Sequence, residues 1–135
     1  MEKNDVFTWE CEVRDNETDL QGVVNNANYF VYMAHARHKH VKELGIDFEA
    51  MYQKGFNLLL IRSEVDFKDS LRAGDEFIVT SKLVPSGRIR FGFEQEVIRK
   101  SDSKVVTKAL NMAVCVSRET GRPTMPDELK VMLEA

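Results

Sequence analysis

The stretch NETDLQGVVNNANYFVYMAHAR (residues 16–37) places an acidic residue a few positions before a long apolar block. The apolar block continues as a segment too long for a strand and stops at Gly45, a residue type that commonly ends helices. Asparagine is a favoured N-cap, so the pair Asn25–Asn26 indicates where this helix starts. We therefore expect a helix from about Asn26 to Leu44. Its first half should be buried on most sides, and its polar second half should turn toward solvent.

The segments around this helix have the period of strands. Apolar and polar residues alternate in VFTWECEVRD (residues 6–15), which predicts a half-buried strand. A short second helix follows, with Asp47 as a possible N-cap and Gly55 as its stop. Four further strand-like stretches reach to about residue 117, and a terminal helix starts at Asp127. Short turns between strands make the sheet antiparallel. The sequence predicts an α+β domain, with a five-stranded antiparallel sheet wrapped around one long central helix.

Composition limits the classes of partner. The net charge of −3 carries no nucleic-acid signature. No apolar stretch approaches the roughly 20 residues that cross a bilayer, and the first residues lack the apolar core of a secretory signal. Cys11 and Cys115 lie in alternating apolar patterns, which favours small core residues over a disulfide. We expect a cytoplasmic protein that binds neither nucleic acid nor membrane.

Asp19 is the residue with the clearest chemical potential. It lies just before a helix start, where unpaired N–H groups and a partial positive charge can polarise a carbonyl group. Gly22 allows a tight turn and the close approach of a ligand. A carboxylate in this place can support the transfer of an acyl group to water. A loop acid that makes an Asx-turn is the simpler interpretation, and the residues alone leave both open.

The segment TDLQGVVNNANYFVYMAHAR (residues 18–37) resembles the signature of the hot-dog-fold thioesterases, in the group with 4-hydroxybenzoyl-CoA thioesterase and small bacterial acyl-CoA thioesterases. The matching positions are Thr18, Asp19, Gly22, Val24, Tyr29, Ala36 and Arg37. VVNNANY (residues 23–29) also resembles a Val-Asn-Asn-x-x-Tyr stretch of acyl-ACP and long-chain acyl-CoA thioesterases. LRAGDEF (residues 71–77) is similar to the turn before the family's third strand. The resemblance implies a single hot-dog thioesterase domain over residues 1–135.

The resemblance also implies roles for particular residues. Asp19 would be the catalytic acid, acting as a base toward water or as a nucleophile on the thioester carbon. The oxyanion would be bound by the backbone N–H groups of Val24, Asn25 and Asn26. Tyr29 would line the acyl pocket, with Gly22 close to the substrate. Family members often carry a histidine near the acid. This chain has none there, so hydrolysis would rely on the acid and the helix terminus.

The implied reaction is hydrolysis of an acyl-CoA, or an acyl-ACP, to a carboxylic acid and the free thiol. CoA would be part of the substrate, with no metal and no other cofactor. Family members form homodimers by joining sheets edge to edge, and many pair further into homotetramers, with each site using both subunits. The alternative is a hot-dog domain that binds acyl-CoA without hydrolysing it. A hot-dog dehydratase is less favoured because no histidine lies beside Asp19.

Three other groups of residues have two interpretations. Arg88 and Arg90 follow a turn and could bind CoA phosphates, or could simply be a solvated strand start. Glu64 and Asp66 share one strand face and could supply a second acid, or could be a solvated face. The nearby His35, His38 and His40 lack the further ligands of a metal site, so packing and surface roles are favoured.

Overall fold

A computed structural model describes residues 2 and 4–134. The helices are α1 (Asn26–Glu43), α2 (Phe48–Gln53) and α3 (Asp127–Glu134), and a short 3-10 turn covers Asp15–Glu17. The strands are β1 (Phe7–Glu12), β2 (Phe56–Phe67), β3 (Glu76–Ser86), β4 (Arg90–Arg99), β5 (Lys104–Ser117) and β6 (Pro123–Thr124). Apart from β6, the strand and helix order predicted from the sequence is thus confirmed.

The strands form one antiparallel sheet in the order β1-β3-β4-β5-β2, with β6 paired to β5. The predicted α+β class and the antiparallel sheet are confirmed, but the predicted count of five strands is wrong. The sixth strand, β6, arises because Gly121, at φ +70°, lets the chain reverse after β5. Pro123 then pairs with Val116 at an edge, where a residue without an N–H group is tolerated.

Helix α1 packs on β1, β3 and β4 and supplies the centre of the core. Asn25 is the N-cap of this helix, and its side-chain Oδ1 accepts a hydrogen bond from Ala27 N–H at 2.9 Å. The expectation that the first half is buried on most sides is wrong. Phe30 and Val31 are 41% and 59% exposed, whereas the residues of the opposite side are buried: Tyr29, Tyr32, Met33 and Ala36. An apolar helix side therefore faces away from the sheet.

The polar second half of α1 is not simply turned toward solvent. His40 has no exposed surface, and its Nδ1 lies 2.8 Å from Ser81 Oγ on β3. Its ring stacks on Phe7 of β1 at a centroid distance of 5.4 Å. Burial lowers the pKa of His40 to about 4, so the imidazole is neutral at pH 7. A neutral histidine fills a core position that the sequence pattern assigned to solvent.

Neither cysteine forms a disulfide, with Cys11 half-buried and Cys115 buried. Within residues 2 and 4–134, none of the helices has the length and apolar character needed to cross a membrane.

Candidate active site

The loop that carries Asp19 is a tight reversal between Thr18 and Val24, which form an isolated β-bridge. Asp19 N–H donates to Val23 O at 2.8 Å, and Gly22 N–H donates to Asp19 O at 3.0 Å. Gly22 has φ +79°, a conformation that strains any residue with a Cβ atom. The glycine of the signature is therefore needed for the backbone of this turn.

The Asp19 carboxylate is exposed, and its two oxygens differ in their hydrogen bonding. Oδ1 accepts hydrogen bonds from Gln21 N–H at 2.8 Å and from Val23 N–H at 3.4 Å, which is the Asx-turn of the simpler interpretation. Oδ2 has no hydrogen-bond partner among the residues that the structure describes. The side chain thus shapes its own loop and keeps one oxygen available for a ligand.

The start of α1 leaves fewer free N–H groups than the sequence suggested. Val24 N–H donates to Leu71 O at 2.8 Å, and Asn25 N–H donates to Glu17 O at 3.1 Å. Two of the three predicted oxyanion donors are therefore engaged within the chain. Asn26 N–H, at the first helical position, has no partner in the described part of the chain, and the predicted set narrows to this group.

Tyr29 lies inside the core. Its hydroxyl oxygen accepts a hydrogen bond from Leu71 N–H at 2.9 Å, and its ring contacts Phe67 at a centroid distance of 5.8 Å. Only 1% of its surface is exposed. The residue therefore ties α1 to the backbone that also pairs with Val24, and its predicted contact with an acyl group stays a prediction.

Glu17 fastens the other side of the loop. Its carbonyl oxygen accepts from Asn28 Nδ2 at 2.8 Å, and its buried carboxylate forms a 3.1 Å salt bridge with Arg14. Burial pushes the pKa of Glu17 upward, but the hydrogen bonds from Arg14 outweigh it, and the pKa lies below its usual value. The charged form thus holds the turn Asp15–Glu17 against the helix start.

A surface ion cluster holds the segment that pairs with Val24. Arg99 contacts Asp69 at 2.9 Å and Asp102 at 2.8 Å, and its Nη1 donates to Ser70 O at 3.1 Å. Hydrogen bonds from Lys104, Ser70 N–H and Arg99 hold the pKa of Asp69 well below its usual range. The backbone on both sides of the Asp19 loop is therefore fixed by charged contacts.

Arg88 and Arg90 lie far from Asp19 within one chain. The Asp19 loop pairs with residues 71–72, just before β3, whereas Arg88 follows the end of that strand. At about 3.4 Å per residue, β3 spans roughly 35 Å. Both arginines are exposed, and Arg88 shares a cleft of about 520 Å³ with Lys130.

The remaining acids and histidines are dispersed. Glu64 and Asp66 lie on the outer face of the sheet, away from α1, where Asp66 is paired in register with Lys108. His35 contacts Trp9, and His38 contacts Phe48. Among the described residues, no three His, Cys, Asp or Glu side chains come together as a metal site.

The sequence did not predict a buried network of hydrogen-bonded polar side chains under the middle of α1. Gln95 Oε1 accepts from Arg37 Nη1 at 3.0 Å and from Asn111 Nδ2 at 2.9 Å, and Asn111 Oδ1 accepts from Ser63 Oγ at 2.7 Å. Gln95 and Asn111 stand at inward positions of β4 and β5 where the alternation would place apolar residues. Two amide residues at inward positions of neighbouring strands are the sequence feature that could have indicated this network.

Comparison with known proteins decides the family. Residues 13–133 match the Thioesterase-like superfamily. The chain belongs to this superfamily. This chain is 32% identical over 115 residues to the acyl-acyl carrier protein thioesterase ATL2, chloroplastic, of Arabidopsis thaliana, and the match covers 85% of this chain and 61% of that protein. It is 27% identical over 114 residues to the putative acyl-CoA thioesterase YneP of Bacillus subtilis, covering 84% and 82%.

The fold of this chain matches solved structures. The 1,4-dihydroxy-2-naphthoyl-CoA thioesterase Slr0204 of Synechocystis superposes with a TM-score of 0.87 at 20% identity, covering 96% of both chains. This likeness confirms the predicted hot-dog fold. The chain spans somewhat less than two thirds of the first curated relatives it matches, 64% and 61% of their lengths.

Proposed function

We propose that this chain hydrolyses acyl thioesters of CoA, or of acyl carrier protein, to a carboxylic acid and a free thiol. Its membership of the thioesterase-like superfamily and the thioesterase names of its relatives support this reaction. The observation that carries the proposal is that Asp19 Oδ2 and Asn26 N–H are both left free by the described residues at the start of α1. Both belong to one short loop and helix start.

In the proposed mechanism, the thioester carbonyl oxygen accepts a hydrogen bond from Asn26 N–H and gains stabilisation from the N-terminal end of α1. Asp19 removes a proton from water, whose oxygen bonds to the acyl carbon. The carbon–sulfur bond then breaks, and the proton passes to the thiolate. Direct attack by Asp19 on the carbon is the other route, with an anhydride that water then hydrolyses.

A non-catalytic acyl-CoA-binding domain is the second candidate. It is favoured by the Asx-turn, because Asp19 already has a structural use in its own loop. A binding domain would tolerate the loss of the Asp19 charge, whereas the hydrolase would not.

The proposed active unit is a homodimer, which can pair further into a homotetramer. Edge strand β2 carries exposed Leu59, Leu60 and Ile61 in its first half, and at its other end the exposed Phe67 contacts the exposed Phe30 of α1. An edge strand with free backbone groups and exposed apolar side chains is a site where a second chain adds. We call these five residues the edge strip.

Antiparallel pairing of β2 with β2 of a second copy would also bring the distant arginines to the site. It would set the Phe56 end of one strand beside the Phe67 end of the other. Arg90 pairs with Val114, close to the Phe56 end of the sheet. Arg88 and Arg90 of one subunit would then bind the CoA phosphates while Asp19 of the other faces the thioester.

The free cysteines support a cytoplasmic location for this reaction.

The test is the release of free thiol from a series of acyl-CoA and acyl-ACP substrates of different chain lengths. General-base catalysis contributes about 10²–10⁴-fold, so Asp19→Asn should lower kcat by at least about a hundredfold in a folded protein. The matched control is Asp15→Asn, an exposed acid in the preceding turn, which should keep wild-type turnover. Wild-type turnover by Asp19→Asn would favour the binding domain instead.

A further inference from the structure

The carbonyl oxygen of Glu17 joins the segment before the Asp19 loop to the start of α1. It accepts hydrogen bonds from Asn28 Nδ2 at 2.8 Å and from Asn25 N–H at 3.1 Å. A carbonyl oxygen has two lone pairs, so these two donors use its full capacity. We call this arrangement of Glu17, Asn25 and Asn28 the carbonyl clamp.

The side chain of Asn28 has one defined orientation in the clamp. A carbonyl oxygen can only accept, so the NH₂ group of Asn28, and not its amide oxygen, must face Glu17. Asn28 is half-buried and stands in the first turn of α1. Asparagine forms helices less readily than alanine, so the clamp explains this amide better than the helix does.

Glu17 connects the position of α1 to the position of the Asp19 loop. On the side away from the helix, Glu17 N–H donates to Arg14 O at 3.0 Å, and the Glu17 carboxylate accepts from Arg14 N–H at 2.8 Å. The turn Asp15–Glu17 and the helix start are therefore one connected unit. Asp19 follows Glu17 by only two residues, so a shift of Glu17 is carried to the Asp19 carboxylate.

The same contacts decide which N–H group of the first helical turn stays open. The clamp takes Asn25 N–H, while Ala27 N–H donates to Asn25 Oδ1 and Asn28 N–H donates to Asn25 O. Among the residues that the structure describes, Asn26 N–H is then the open donor of this turn. The clamp thus lies between the two groups that the proposed hydrolysis needs, the loop acid and the open N–H group.

We propose that Asn28 is a positioning residue for thioester hydrolysis, and that its side chain holds the Asp19 carboxylate in place relative to Asn26 N–H through the carbonyl clamp. This inference rests on the proposed function. Asn28 has no contact with the substrate in this role and acts through Asp19. A displacement of about 1 Å can cost about a hundredfold in rate, so loss of the Asn28 amide should affect kcat more than KM.

The first test needs no turnover. Amide hydrogen exchange of Asp19 N–H and Asn25 N–H is measured by NMR in the wild type, Asn28→Ala and Asn28→Asp. Alanine has no donor, and an ionised aspartate has the shape of asparagine but only accepts. Both protons should exchange about fivefold faster in both variants, the factor that loss of one hydrogen bond gives.

Two comparisons make the exchange result decisive. Asn16→Ala removes an exposed amide from the neighbouring turn and should leave both rates at their wild-type values. The amides of β4, in the middle of the sheet, should keep their rates in every variant. Wild-type exchange in both Asn28 variants would overturn the proposal. Faster exchange that includes β4 would assign Asn28 to overall stability and overturn it as well.

The second test is a double-mutant cycle on kcat, with the best substrate of the chain-length series. Asn28→Ala should lower kcat about 10- to 100-fold, with KM within about twofold of wild type. In an Asp19→Asn background, Asn28→Ala should change the residual kcat by less than about twofold, because no carboxylate is left to position. Asn16→Ala is again the control and should leave kcat unchanged in both backgrounds.

The outcomes of the cycle separate this inference from the proposed hydrolysis. A loss in Asp19→Asn together with wild-type kcat in Asn28→Ala would overturn the role of Asn28 alone. Equal losses from Asn28→Ala in both backgrounds would do the same, because the two residues would then act independently. Wild-type turnover in Asp19→Asn would overturn the proposed role of Asp19, and with it this inference.

Discussion

The two halves of α1 satisfy their polar groups in different ways. At the N-terminal end, the partners are mostly backbone groups: Val24 N–H meets Leu71 O, and Asn25 N–H meets Glu17 O. In the second half, the partners are side chains, as His40 pairs with Ser81 and Arg37 with Gln95. The first half therefore has a rigid polar frame around one open N–H group. The second half has charged or titratable side chains inside an apolar environment, where burial lowers the pKa values of Arg37 and His40.

The largest expected effect is a difference in stability between substitutions on the two sides of the first half of α1. Met33 is buried against the sheet, so Met33→Ala should lower the free energy of unfolding by about 2–5 kcal/mol. Phe30 belongs to the edge strip, and Phe30→Ala should change the unfolding free energy of the single chain by less than about 1 kcal/mol. Its main effect should be a larger dissociation constant of the proposed dimer.

Urea unfolding at low protein concentration and light scattering over a range of concentrations measure these two quantities. Wild-type protein that stays monomeric at micromolar concentration would contradict the proposed shared site. A large stability loss in the monomeric Phe30→Ala variant would show that this side of α1 is packed within the chain.

The second half of α1 should respond to pH. His40 has a pKa of about 4 in the folded chain, against 6.5 for an unperturbed histidine. The unfolded chain then binds more protons between these values, so stability falls as the pH falls from 6.5 to 4. The full loss is about 3 kcal/mol. Glu17, whose pKa is lowered, loses its contribution only below its ordinary value of 4.5.

Unfolding free energies at pH 7 and pH 4.5 test this difference. His40→Gln removes the titrating ring and can still bond to Ser81, so the decline between these pH values should shrink. His35→Gln changes an exposed histidine and should keep the wild-type decline. An unchanged decline in His40→Gln would assign the pH dependence to other groups.

The same contrast explains how far the sequence was informative. The strand periods, the Asn25 cap and the Gly22 turn depend on neighbours along the chain, and all could be predicted. The burial of His40 depends on Ser81 and Phe7, which are distant in sequence. The engagement of Val24 and Asn25 likewise depends on contacts that periodicity does not encode. Polar side chains with distant partners were therefore the part of the molecule that the sequence did not predict.

The partly exposed first half of α1 illustrates a second limit. An apolar residue in the sequence indicates burial, but it does not say which surface covers it. Phe30 has the composition of a core residue and lies on the edge strip, where another chain would be needed to cover it. An apolar block that is buried within one chain and one that is buried by assembly have the same pattern.

The central claim is that Asn26 N–H binds the thioester oxygen beside Asp19. Proline is favoured at the first helical position, and Asn25 already has the extended conformation that precedes proline, with ψ 137°. Asn26→Pro therefore deletes this N–H group while the helix start is kept. Asn26→Ala keeps the N–H group and serves as the control.

The deciding measurement is kcat for thioester hydrolysis by Asn26→Pro and Asn26→Ala, with folding checked by circular dichroism. Loss of one oxyanion donor costs about 10²–10³-fold in kcat. We predict a loss of that size in Asn26→Pro and near-wild-type turnover in Asn26→Ala. Wild-type turnover in a folded Asn26→Pro variant would contradict the account, because the group assigned to the oxyanion would then be absent without consequence.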